Sequence, residues 1–463
     1  TFFNGVSTKV AQKGAELKHE GIFRMIWLYV KAPEPFKKNL PLFISVGSWK
    51  DVFTMLSYDL QYNGWKDRKL DWEYFGNLIL SGLEQESQVN LIKKYLPQIK
   101  SNSACTTLES QADNLIGKWI CSLLFGNKGE ESGSTYKKYR KLKSSGTAHE
   151  WQKLISQRKF DKIDFSKIHG RALNLLIRSK FLVNQGLKEK YEKWILKPET
   201  KEVKYTGYVH ELFSKLPRSL SSLSKGEQET INKQFQTLVD KAGENKENTS
   251  FSVVRDTSDS MSSIATGTNM TSFDIAKALA LYFSSFLKGT FSNSWIEFNS
   301  RAKMHVWKGK TPIEKWYNDN SGYLGSTDFQ SVINLFIDIK SQGVSEEEFP
   351  TGIICISDGE FNSCNGQNSL NTTNFNLAKK RLKQAGFSKE YCDNFIMVFW
   401  DIPNGYYSSN TKPKFETFNG SNAFYLSGYS ASQISFIMSG EIKTAKDLFL
   451  QAMNQEVLQM IEL

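Results

Sequence analysis

Apolar positions fall into two regimes along this chain, and the change comes near residue 250. Through the first half they recur at helical spacing. Trp49, Val52, Phe53 and Leu56 stand at i, i+3, i+4 and i+7, the stripe of a helix with one buried face. Similar stripes run through 71–83, 114–125, 151–156 and 170–181, and turn-like pieces at 126–129 and 197–199 separate some of them. Successive helices of this kind predict a helical-repeat, HEAT-like domain, although no fixed repeat period is present. The second half alternates short unbroken apolar runs with helical stripes. Strands are predicted at 251–255, 295–298, 352–357, 394–400 and 423–427, and helices at 273–287 and 329–339. Apolar runs bounded by glycine suit parallel strands covered on both faces. Strands separated by helical patterns predict βαβ units.

The expected architecture is therefore a multidomain α + α/β chain. A basic α-helical repeat domain covers 1–220, a polar linker of mixed charge covers 221–248, and a Rossmann-like domain with a mainly parallel central sheet covers 249–463.

Candidate chemistry sits where the first strand of the second half ends. Asp256-Thr257-Ser258-Asp259-Ser260 follows the β-like run 251–255. Asp256, Ser258 and Ser260 offer alternate oxygen-bearing side chains, which suit a hard divalent cation such as magnesium. Alone, such a motif is also an ordinary turn. Two later segments add to it: Gly325-Ser326-Thr327-Asp328-Phe329 opens a helical stripe, and the run 352–357 ends in Asp358-Gly359. Ligands of open α/β sheets bind beyond the carboxyl ends of the strands. Asp256 and Asp358 both fall at such ends, with Thr327 on an intervening loop.

With these positions filled, the second half resembles a von Willebrand factor A module. The resemblance implies a metal-ion-dependent adhesion site holding Mg2+, or Mn2+ or Ca2+ in its place. Ser258, Ser260 and Thr327 would bind the metal directly, and Asp256 and Asp358 largely through water. In such modules a partner protein's carboxylate completes the octahedron.

Composition narrows the classes. With 32 Phe, 18 Tyr and 11 Trp there is ample material for cores. No apolar run approaches the roughly 18 to 20 residues that a membrane span needs, and no secretory leader is legible. Cys105, Cys121, Cys355, Cys364 and Cys392 show no C-x-x-C spacing and are odd in number. This points to a reducing compartment, hence the cytoplasm. The five histidines are scattered and read as structural. No P-loop, nucleophile elbow or H-E-x-x-H pairing is present. Phosphatases of the haloacid dehalogenase type need a second carboxylate two positions after the first, where this chain has Ser258. A non-catalytic protein is expected.

Charge is unevenly placed. Residues 1–250 carry 41 Lys+Arg against 27 Asp+Glu, whereas 251–463 carry 18 against 21; within the first part, 126–200 hold 18 basic and 8 acidic side chains. Such a field favours polyanions, with RNA or DNA the first candidates, although a solvated lysine-rich surface reads the same way. Aromatics lie among the cations, as in Tyr136 and Tyr139 beside Lys137, Lys138, Arg140, Lys141 and Lys143. That mix can stack bases while holding phosphates. Together with Arg171 and Arg178, these cations are the candidate RNA contacts.

A basic helical half joined to such a module resembles the Ro ribonucleoprotein (TROVE) family. The resemblance rests on Gly47-Ser48-Trp49-Lys50-Asp51-Val52, Tyr139-Arg140-Lys141-Leu142, Phe160-Asp161-Lys162-Ile163-Asp164-Phe165-Ser166-Lys167-Ile168 and Leu426-Ser427-Gly428-Tyr429-Ser430. It implies a ring or arc of helical repeats that binds single-stranded RNA ends or small structured RNAs. A protein-binding assembly factor or virion component without RNA is the alternative, the gene then being virus- or phage-encoded.

Overall fold

In this computed structural model the described residues are 18–126, 133–146, 149–168, 170–201, 203–205, 207–243, 250–265, 268–298, 301–319, 321, 329–358, 372–402, 415–417, 422–427 and 460. They form two compact units: the described residues up to Lys167 together with residue 460 make one, and those from Ile168 to Ser427 make the other.

The first unit is helical: α1 (Lys18–Lys31), α2 (Pro33–Val46), α3 (Trp49–Asn63), α4 (Trp72–Glu84), α5 (Glu86–Tyr95), α6 (Leu108–Phe125), α7 (Gly133–Ser145) and α8 (Glu150–Ser156). The stripe at 49–56 becomes α3. Its start is fixed by Asp51, whose carboxylate accepts the Ser48 N–H at 2.9 Å, a reciprocal cap that satisfies an otherwise orphan donor. Its end is fixed by Gly64 at φ +70°, a left-handed conformation that glycine adopts freely. Buried Asp59 then accepts from Lys69 N, Leu70 N and Trp72 Nε1 at 2.8, 3.0 and 3.2 Å, which ties the following turn to α4. Phe36, Met55, Leu56, Phe75, Ile79, Ile92, Ile116 and Ile120 form the fully buried centre.

The second unit opens with α9 (Gly170–Ile177), α10 (Lys180–Asn184), α11 (Lys188–Ile195), α12 (Val209–Phe213) and α13 (Lys225–Gly243). The stripe at 170–181 is thus two helices, because Ser179, just before the second, is extended. Then follow β1 (Phe251–Asp256), α14 (Ser272–Ser284), β2 (Ser294–Phe298), β3 (Lys303–Val306), α15 (Pro312–Asn318), α16 (Phe329–Ser341), β4 (Gly352–Ser357), α17 (Thr372–Gln384), α18 (Lys389–Asn394), β5 (Ile396–Asp401), β6 (Phe415–Thr417) and β7 (Ala423–Ser427). The sheet order is β3-β2-β1-β4-β5-β7-β6. All neighbours are parallel except β2–β3 and β6–β7, the two antiparallel edges.

Alternate strand residues serve opposite layers. Phe251, Val253, Ile354, Ile356, Val398 and Trp400 pack with residues of α12 to α15. Val254, Ile353, Cys355, Met397 and Phe399 pack with residues of α16 to α18. A sheet covered on both faces explains the unbroken apolar runs. The fold is α + α/β, a helical region followed by a mixed, mostly parallel sheet.

The division differs from the expected one at 220 and 248. Residues 225–243 form a helix whose Ile231 and Phe235 are buried in the same core as β1 and α14. Asn232 accepts the Ile313 N–H at 3.2 Å, and Pro217 O accepts from Tyr317 Oη at 2.7 Å. The segment is a structural wall of the α/β unit.

Candidate functional site

The chain visits β1, β2 and β3 on one side of the sheet and then returns to place β4 on the other side of β1. In open α/β sheets a reversal of this kind marks a crevice beyond the carboxyl ends of the strands, here β1 and β4, and that is their general ligand position. Asp256 is the last residue of β1, and Asp358 follows Ser357, the last residue of β4. The structure thus brings the two carboxylates to adjacent strand ends.

Asp256 is fully buried. Its Oδ1 accepts the Ser258 N–H at 2.8 Å and its Oδ2 accepts from Ser357 Oγ at 2.6 Å. Ser258 Oγ and Ser260 Oγ lie 3.1 Å apart. Burial pushes the Asp256 pKa up to about 6; the serine donors pull the other way, and the charge of Asp358 adds to the rise. A cation in the crevice would relieve this, because a bound ion inverts the local pKa logic. Among the described residues no three His, Cys, Asp or Glu side chains gather as a metal cluster. The donors at this crevice are instead two carboxylates and serine hydroxyls. All are hard oxygens, which fit magnesium or calcium held partly through water. Thr327 lies outside the described residues.

Several residues at this end carry no signal in the motif. Ser357 anchors Asp256 yet reads in sequence only as the end of an apolar run. Glu297 on β2 lies 2.7 Å from His305 Nε2 and accepts from Thr257 Oγ1 at 3.4 Å. Asp401, the last residue of β5, accepts from Tyr425 Oη at 2.8 Å. One residue before Asp256, Arg255 is buried between Trp295 and Phe273, its guanidinium carbon 3.7 and 4.7 Å from their ring centroids. It pairs with Asp319 at 2.8 Å, and Lys277 stands 3.5 Å from the same carboxylate. Burial works against the Asp319 charge, but Arg255 and Lys277 outweigh it and hold its pKa below the usual range.

The candidate RNA contacts separate into groups. Lys137, Lys138, Arg140 and Lys141 are exposed on α7, around the fully buried Tyr139. Lys143 on the same helix turns inward: its Nζ donates to Lys94 O at 3.2 Å and also to Leu96 O, and burial lowers its pKa. Arg171 and Arg178 belong to the second unit. Arg171 pairs with Glu211 at 2.7 Å while staying 63% exposed. Arg178 is tied to the carbonyls of Ser214 and Leu212 at 2.6 and 2.9 Å. The basic stretch 126–200 therefore spans two units.

Comparison with known proteins finds a family model over the second half and a relative over most of the chain. A model described as a domain of unknown function, DUF7788, matches residues 250–460. The chain is also similar to a mimivirus protein. That relative, an uncharacterized protein of Acanthamoeba polyphaga mimivirus, is 22% identical over 442 residues, covering 90% of this chain and 72% of its own length. Among the described residues no helix is long and apolar enough to cross a membrane.

Proposed function

We propose that this protein is a non-catalytic RNA-binding scaffold of Ro type, whose HEAT-like helical half binds RNA and whose von Willebrand factor A-like half docks a protein partner through a metal ion. The observation that carries the reading is the convergence of Asp256, Ser258, Ser260 and Asp358 on one crevice of a mostly parallel sheet. Mg2+, or Mn2+ or Ca2+, would be held there by Ser258, Ser260 and Thr327 directly and by Asp256 and Asp358 through water. The ion supplies an open coordination position for a partner's carboxylate. This chain's residues orient it: Ser357 and the Ser258 amide hold Asp256 in place. No acid stands at position 258 to serve phosphatase chemistry.

The RNA half of the reading is supported by the exposed cations of α7. Similarity to a mimivirus protein supports a gene that viruses carry. An assembly or virion component that uses the metal crevice without RNA is the second reading, favoured by that same similarity.

Titration with Mn2+, followed by its paramagnetic resonance signal, tests the crevice. Saturable binding is expected in the wild type and is lost in Asp256→Ala, while RNA binding persists in the variant. A wild type without saturable Mn2+ binding sinks the metal reading. Loss of RNA binding together with metal binding would mean that the two halves do not act separately.

A further inference from the structure

The helical unit contains a cavity of about 780 Å3 walled by α3, the segment after α5, the start of α6 and Lys143 of α7. Its size falls within the range of small-molecule sites, roughly 300 to 1,000 Å3. None of the cations first singled out in the sequence marks it except Lys143.

Three features of its lining belong together. The first is aromatic. Tyr58 and Tyr62 line the cavity, and Phe23 stacks on Tyr58 with ring centroids 5.0 Å apart and meets Tyr62 edge-on at 5.5 Å. Phe23 is 43% and Tyr62 70% exposed, so aromatic surface is open to solvent beside the cavity. The second is charge. Lys50, Lys94, Lys100 and Lys143 line the same space, against the carboxylates of Glu109 and Asp113. Lys143 braces the wall through its carbonyl contacts, which leaves Lys50, Lys94 and Lys100 for a ligand. The third is an acceptor. Asp113 is held by the buried Ser57, whose Oγ donates to it at 3.0 Å. Burial raises the Asp113 pKa, with the Ser57 donor opposing and Glu109 adding to the rise. A carboxylate short of solvent is better satisfied by a ligand with two adjacent N–H donors.

We propose that this cavity takes one nucleotide of a single-stranded RNA, a guanosine, with its base on the Tyr58–Tyr62 aromatics, its N1–H and amino group on Asp113, and its flanking phosphates on Lys50, Lys94 and Lys100. The assignment rests on the RNA-binding reading above and gives it a site. Aromatic stacking with cations along the backbone is the physical recipe for single strands. Carboxylates read base amino donors. An acidic peptide would use the lysines but not the Asp113 acceptor. No strand is among the elements that wall the cavity, so an extended peptide finds no strand edge to pair with.

The test measures anisotropy of labelled uridine dodecamers, with and without one central guanosine or adenosine, on the full chain and on two variants. Titration with guanosine 5′-monophosphate accompanies it. The wild type is expected to favour the guanosine oligomer over the other two. Tyr62→Ala, at an exposed position, weakens binding by about tenfold, within the range for losing one stacked base. Asp113→Asn, of the same shape, erases the guanosine preference. If all three oligomers bind alike and Tyr62→Ala changes nothing, the cavity assignment falls while the RNA reading stands. If no oligomer binds at low salt, the RNA reading itself falls and takes this assignment with it. Guanosine monophosphate binding without any RNA binding overturns the assignment to RNA.

Discussion

Arg255 shows how much one residue of the second unit must satisfy. On β1 it reads as a polar interruption of an apolar strand, and nothing in the sequence points to Asp319 as its partner. In the structure it is fully buried, clamped by Trp295 and Phe273, and shares Asp319 with Lys277. Removing one member of a buried ion pair costs about 3–5 kcal/mol, mostly because the other charge stays behind. Arg255→Met should destabilise the second unit by about that much, read as faster hydrogen exchange of the β1 and β4 amides in the full chain. A loss below about 1 kcal/mol would mean that Lys277 alone compensates Asp319. His210 gives a pH-dependent counterpart. Burial, reinforced by Arg171, lowers its pKa to about 4. The unfolded chain then binds a proton that the folded one does not between pH 6.5 and 4. Stability from this residue is therefore complete above pH 6.5 and falls by about 3 kcal/mol as the pH drops to 4. His210→Phe should flatten that part of the stability profile in denaturant titrations at successive pH values. The strand-end placement of Asp256, Ser258, Ser260 and Asp358 was legible at this scale because the strands before them are readable. Ser357 and Arg255 were not, because their roles are set by partners distant in sequence.

At the scale of elements, every predicted strand and most predicted helices are present, since each rests on a period that packing enforces. The antiparallel edge β3 was missed because Lys303–Val306 is largely exposed and carries no apolar run. Helix α13 was legible only as a short helical pattern within a linker, for a different reason. Its buried face includes Thr230, Gln234 and Thr237 beside Ile231 and Phe235, which dilutes the stripe until it reads as a polar linker. The difference is testable. Phe235 meets Phe213 and Tyr282 edge-on at 6.2 and 6.3 Å. Phe235→Ala should cost about 3–5 kcal/mol, as for other large core aromatics, and should make the second unit more susceptible to limited proteolysis. In a true linker the same change would be silent. A fragment beginning at residue 249 should likewise be less protected than one beginning at 168, because it removes α12 and α13 from the layer that covers one face of the sheet.

For the whole molecule, the charge asymmetry was visible in the sequence, but the unit that owns it was not. The first unit through Lys167 has 26 Lys+Arg against 17 Asp+Glu, and the excess in 126–200 is divided by the boundary. Of the sequence's candidate contacts, only Lys137, Lys138, Arg140 and Lys141 are exposed together on one helix. Affinity for RNA that depends on them must depend on salt, because each neutralised phosphate releases counterions. Replacing all four with glutamate should weaken binding of single-stranded RNA. It should also flatten the slope of log affinity against log salt by up to about 3, at ~0.7 per phosphate on a single strand. Reversing Arg171 and Arg178 should do less to the slope, since Glu211 and two backbone carbonyls already engage them. A slope equal in the wild type and the fourfold variant would place the phosphate contacts elsewhere. If affinity is also indifferent to the reversal, α7 is a solvated face, and the metal crevice is left as the molecule's main docking device.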